Sequence, residues 1–145
     1  MKQLALRFGL WMMTGFMVFF LLMHLLGLSE NYHLRVLNGL IHLSIIYMAI
    51  RAFRSKYPET VSNYVSGTAM GMYVSAVGVA GFSIFMILFL SFSPGFLHQL
   101  RETMPMGDYL TPITASLFIF MEGIVISLIG SYILTRVIDM NPART

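Results

Sequence analysis

At 145 residues, with 57% hydrophobic and 10% charged side chains and a mean hydropathy of +0.78, the chain carries too little charge to cover a soluble domain of its size. The formal net charge of +3 is divided among segment ends instead of forming a basic patch, so it gives no nucleic-acid partner. With no cysteine, disulfides, thiolate metal sites and cysteine nucleophiles are excluded, and the sequence contains neither a Gly-rich phosphate loop nor a zinc-protease motif.

Four apolar runs, at about 8–28, 32–53, 68–92 and 111–136, each have the length of a bilayer-crossing helix. They predict an all-α integral membrane protein: a four-transmembrane-helix bundle of two helical hairpins, filling 1–145 as a single domain. The first run, "RFGLWMMTGFMVFFLLMHLLGL", is too long for a signal core, and "GLSENYH" is no small-x-small cleavage site, so it stays as the first span. "GLSEN" is short enough to force spans 1 and 2 into a tight hairpin, with Ser29 as N-cap and Glu30 at the positive end of the next helix.

Span 2 carries Asn31, Arg35, Asn38 and His42 at spacings of four, three and four. At helical pitch they share an arc of about 60°. Lipid rejects such a face, so it is expected to point into the bundle. The link that follows, "RAFRSKYPETVSNYVSG", is basic and aromatic. Arg51, Arg54 and Lys56 are expected among anionic headgroups, with Tyr57 and Tyr64 at the interface. After span 3, "SFSPGFLHQLRETMPMGDYLTP" holds a Pro-Gly turn and a short amphipathic helix around Phe96–Met104 that would lie on the membrane surface. Pro112 suits the first turn of span 4.

Small residues recur every fourth position as Gly67, Gly71 and Ser75 in span 3, and as Gly123, Ser127 and Ser131 in span 4. In lipid this pattern lets helix backbones approach closely, most simply for packing within the bundle. "GLIHLSIIYMAIR" (Gly39–Arg51) also echoes "GIVISLIGSYILTR" (Gly123–Arg136), as if the two hairpins were diverged copies in one orientation.

Span 4 carries Glu122 in an otherwise apolar setting. Counted from the starts of their spans, His42 is ten and Glu122 eleven residues deep, which predicts that Glu122 faces His42 and Asn38 inside the bundle. A lone ionised carboxylate at that depth costs about 2.5–3.5 kcal/mol, relieved by protonation or pairing. The polar set Glu122, His42, Asn38 and Arg35 is therefore either a helix-joining network or a functional intramembrane pocket. His24 and His42 differ by about 9 Å in depth, a poor match for a shared haem iron. His33 and His98 lie near acids without ligand spacing, and the 13 Met are dispersed filler. No cofactor and no metal are expected.

Lys2, Arg7, Arg51, Arg54, Lys56, Arg136 and Arg144 fall on one side of the four spans; only Arg35 and Arg101 fall on the other. The positive-inside rule then places both termini in the cytoplasm.

Two stretches, "AIRAFRSKYPETVSNYVSGTAMGMYVS" (Ala49–Ser75) and "FMEGIVISLIGSYILTR" closing span 4, resemble an uncharacterised bacterial family of small four-span membrane proteins, catalogued as domain of unknown function 4199. The outer loop here is shorter than that family's. The resemblance implies a bacterial inner-membrane location and no established activity. Paired carboxylates, a nucleophile–base pair and a metal motif are all missing, so no enzyme is expected. The leading expectation is a non-enzymatic accessory subunit or scaffold, a homo-oligomer or part of a larger membrane complex, with the lipid bilayer as its other partner. The alternative is a small proton-linked transporter using Glu122 and His42.

Overall fold

The helices begin and end where local chemistry dictates. Gly27, at φ +67°, stops the first one: Leu28 N–H donates to Met23 O and Gly27 N–H to His24 O, closing a left-handed C-terminal cap that glycine adopts without a Cβ penalty. Asn63 caps another helix by accepting from Val65 N–H. Before the last helix, Thr111 Oγ1 accepts from Thr114 N–H while Thr114 Oγ1 accepts from Thr111 N–H, a reciprocal box with Pro112 in the first turn. The structure, a computed structural model, describes residues 1–28, 32–61, 63–104 and 106–140, with the backbone alone for 32–35. Its helices are α1 (Lys2–Leu25), α2 (Tyr32–Lys56), α3 (Tyr64–Phe92), α4 (Pro94–Thr103) and α5 (Pro112–Met140), with 3₁₀ turns at Pro58–Thr60 and Gly107–Tyr109.

Four of these helices, α1, α2, α3 and α5, are long and apolar enough to cross a membrane. They outrun the apolar runs: α1 starts at Lys2, α3 at Tyr64, and α2 and α5 continue to Lys56 and Met140. Polar ends extend a helix that hydropathy alone truncates. Many large apolar side chains face outward, among them Leu22, Ile84, Leu117, Phe118 and Ile129, while Ser75, Ser127, Ser131 and Thr135 are fully buried. A water-soluble bundle has the reverse arrangement. The chain is built as a multi-pass membrane protein.

The two hairpins, α1–α2 and α3–α5, lie against each other. We call the end holding Lys2 and Met140 the near end. The helix α1 runs parallel to α3, with Gly9 against Val77 and Gly78 against Met12. The helix α2 runs parallel to α5, with His42 beside Ser127 and Arg54 beside Asp139, both pairs 85 residues apart. It also touches α3 diagonally, where Ile46 meets Gly71.

The tightest seam joins α3 to α5. Gly67 meets Thr135, Gly71 meets Ser131, and Val79 meets Gly123; between them Ser75 and Ser127 flank one imidazole. Each four-residue step along α3 is matched by a four-residue step back along α5. An added Cβ would stand 2.5 Å from Thr135 Cγ2 at Gly67, 2.7 Å from Ser131 Cβ at Gly71 and 2.6 Å from Val79 Cγ1 at Gly123. The small-residue faces thus meet each other within one chain, at backbone distances that larger residues forbid.

Aromatic rings fill the far end. Phe20 of α1 packs with Phe82, Phe85 and Phe89 of α3, and α4 lays Phe96 onto the same cluster. The helix α4 buries Phe96 and Leu97 and closes the connection through Arg101, whose Nε donates to Leu110 O at 2.8 Å.

The seam predicts opposite outcomes for two glycines. Gly71→Ala is expected to lower stability by about 1–3 kcal/mol through overpacking. Gly39→Ala, whose Cβ meets nothing within 4 Å, is expected to raise it by roughly 0.5–1 kcal/mol. Unfolding both variants in detergent, followed by circular dichroism, reads the difference.

Candidate functional site: two buried polar joints

His42 is buried near the middle of α2, 3% exposed. Its Nε2 lies 3.1 Å from Ser75 Oγ of α3 and 2.9 Å from Ser127 Oγ of α5. One imidazole nitrogen thereby joins three helices. Ser127 Oγ donates to Gly123 O, the helical back-bond open to serine. With that hydroxyl proton committed, the contact to His42 needs the proton on Nε2, so the arrangement selects the Nε2–H tautomer. Phe16 of α1 closes the fourth side edge-on, at 5.4 Å between centroids.

The second joint lies at the near end and was not anticipated. Arg54, placed among headgroups by its sequence context, is buried instead, with 0% of its side chain exposed. Its Nε and Nη2 donate to Asp139 Oδ1 and Oδ2 at 2.9 and 2.8 Å, a two-pronged carboxylate pair. Nη1 donates to Thr60 Oγ1 and Ser66 Oγ and to the Thr60 carbonyl, and Nη2 also reaches Asn63 O. Every guanidinium nitrogen has an acceptor, as a buried arginine requires. The α2–α3 link is folded around this one side chain. Thr60 Oγ1 returns a bond to Tyr57 O and Ser66 Oγ to Asn63 O.

Among the described residues, the remaining cations of this end are exposed. Lys56 lies over Tyr57, and Arg136 lies over Tyr64 and Tyr132, at 4.8 Å from the former ring.

Of the expected four-residue pocket, the structure describes the side chains of His42, Asn38 and Glu122. His42 is buried and Asn38, one turn further out on the same face, is half-buried, with a buried Oδ1 that has no hydrogen-bond partner. Ser29, Glu30 and Asn31, and the side chains of His33 and Arg35, lie outside the described residues. Glu122 corrects the expectation: it is exposed on the outer face of α5, not turned toward His42. Two geometric reasons account for this. Glu122 precedes Ser127 by five residues, about 140° around the helix from the buried face. It also sits about 7.5 Å further out than His42, because α5 begins higher than α2 and the level partner of His42 is Ser127.

His24 occupies the aromatic cluster at the far end, 5.1 Å from both Phe89 and Phe96, with its buried Nδ1 lacking a hydrogen-bond partner. His98 lies on α4, exposed, 3.4 Å from Glu102 one turn on. Among the described residues no three His, Asp or Glu side chains come together.

Asp139 is the residue sequence reasoning missed, although a signal for it exists. The echo that aligns Arg51 with Arg136 carries, three residues further, to Arg54 and Asp139, at the same separation as His42 and Ser127. At both of these places the aligned residues are neighbours in space.

Two outcomes follow for stability in detergent. Asp139→Asn leaves the buried guanidinium short of its counter-charge and is expected to cost about 3 kcal/mol. Ser127→Ala removes one hydrogen bond between membrane helices and is expected to cost only about 0.6 kcal/mol. Denaturation in sodium dodecyl sulfate mixtures resolves both.

Compared with family models, with curated proteins and with solved structures, the chain shows no match to any of them.

Proposed function

We propose that the chain is a non-enzymatic membrane component, an accessory subunit or scaffold that works as part of an oligomer or larger assembly in a bacterial inner membrane. The observation that carries this reading is the use of the two most polar buried side chains. His42 and Arg54 are both engaged in joining helices, and the α3–α5 seam beside them is closed to a single added carbon. Such an interior holds a shape and leaves no slack for a substrate to pass along that seam. The exposed position of Glu122 supports the same reading, because it separates the acid from the imidazole that a proton-linked pathway would pair it with. With both termini in the cytoplasm, the Arg54 joint stands at the cytoplasmic end. Kinship with the four-span family rests on the stretches Ala49–Ser75 and Phe120–Arg136 and is part of this proposal.

Two measurements on full-length protein test it together. Extracted with surrounding lipid from its own membrane, the chain is expected to run at a mass above that of its 16.4 kDa protomer by native mass spectrometry. In proteoliposomes containing a pH-sensitive dye it is expected to pass no protons beyond the empty-vesicle leak. A lone protomer combined with a proton flux that disappears in His42→Ala would overturn the reading in favour of transport.

A further inference from the structure

The near end contains a cavity that neither polar joint uses. It has a volume of about 440 Å³ and is lined by Met1, Lys2, Gln3, Leu4 and Arg7 from the start of the chain and by Lys56 and Tyr57 from the end of α2. Three of its lining side chains are cations and none is an acid. All three cations are exposed, in contrast to Arg54 a few residues away, which is buried and neutralised by Asp139. Glu59, two residues beyond Tyr57, is exposed and does not line the cavity.

The cations come from two different helices that run in opposite directions, so the cavity exists only where the start of α1 meets the end of α2. Arg7 is held in place from behind. Its guanidinium lies over the ring of Trp11, 5.4 Å from the centroid, and Trp11 is itself exposed one turn further along α1. Lys56 lies 5.8 Å from the Tyr57 ring centroid. Tyr57 and Gln3 add neutral hydrogen-bond donors to the same space.

From this lining we infer that the cavity is a binding site for a phosphate group, and that its natural occupant is the headgroup of an anionic phospholipid. A guanidinium and two ammonium groups around an open cavity match a phosphate's charge and its several acceptor oxygens. The cavity lies beside exposed apolar side chains of α1, including Leu6 and Leu10, which lets a lipid's tails lie along the helix while its phosphate enters the basic space. The site goes beyond the scaffold reading and does not depend on it. A free phosphate presents the same oxygens without the tails that hold a lipid along α1, and the experiment separates the two sources.

Trp11 is the chain's single tryptophan, and its contact with Arg7 makes it the reporter. Short-chain phosphatidylglycerol, phosphatidylcholine and inorganic phosphate are titrated separately into full-length protein in maltoside micelles, with Trp11 emission followed. A saturable change with phosphatidylglycerol, and none with phosphatidylcholine or inorganic phosphate, is the expected result. Lys56→Gln leaves the reporter pair intact and is expected to weaken binding about fivefold, whereas Arg136→Gln, a charge-matched change at the same end but outside the cavity, leaves it unaltered. A saturable change with inorganic phosphate, weakened by Lys56→Gln alone, supports the phosphate site and assigns it a soluble occupant. Equal weakening in both variants, or no saturable response to any phosphate-bearing anion, overturns the inference.

Discussion

The close approach of α3 and α5 is the constraint on which the rest of this bundle depends. Lipid tails are as apolar as leucine, so nothing squeezes two membrane helices together in the way water does. Adhesion comes from dispersion over a large contact and from hydrogen bonds, and both fall steeply with distance. Gly67, Gly71, Ser75 and Gly123, Ser127, Ser131 remove the side chains that would hold the backbones apart. The proximity has a second effect. Only because Ser75 and Ser127 lie so near one another can a single nitrogen of His42 reach both hydroxyls.

The polar joints then do what the small residues cannot. A stripe of glycine and serine is sticky but permissive, since adjacent steps along it resemble one another. A histidine that needs both hydroxyls, and an arginine that needs a two-oxygen carboxylate, accept one axial offset between helices. His42–Ser127 and Arg54–Asp139 impose the same offset on α2 and α5 from the middle and from the near end. Burying a guanidinium is costly by itself, and the Arg54 arrangement is stable only because the carboxylate and the folded link satisfy it completely. Fixing register is the best-attested use of such buried polar groups.

The charge of the near end is divided by this logic into two classes. Arg54 is consumed structurally, whereas Lys2, Arg7 and Lys56 stay accessible around a common cavity. Sequence context treats Arg54 and Lys56 alike, since only Ser55 lies between them in one basic segment. Two positions are 200° apart on a helix, and that rotation places one side chain against α5 and the other outside.

What the sequence determined by itself was whatever depends on local composition. Four apolar runs became four spans, Pro-Gly and the amphipathic stretch after them became α4, and the four-residue recurrence of small side chains marked the faces that meet. The inward turn of His42 was legible too, because lipid excludes a polar stripe wherever the helix sits. The position of Glu122 was not, although part of its answer was present. A helix that buries Ser127 cannot also bury a residue about 140° away against the same neighbour. Height was decided by the tertiary structure alone. Counting residues from each span's start assumes that the spans begin level, and α5 begins higher. Axial offset between two helices belongs to neither sequence separately; it is set by which side chains interlock across the seam, and so the partner of His42 is Ser127 and the partner of Arg54 is Asp139.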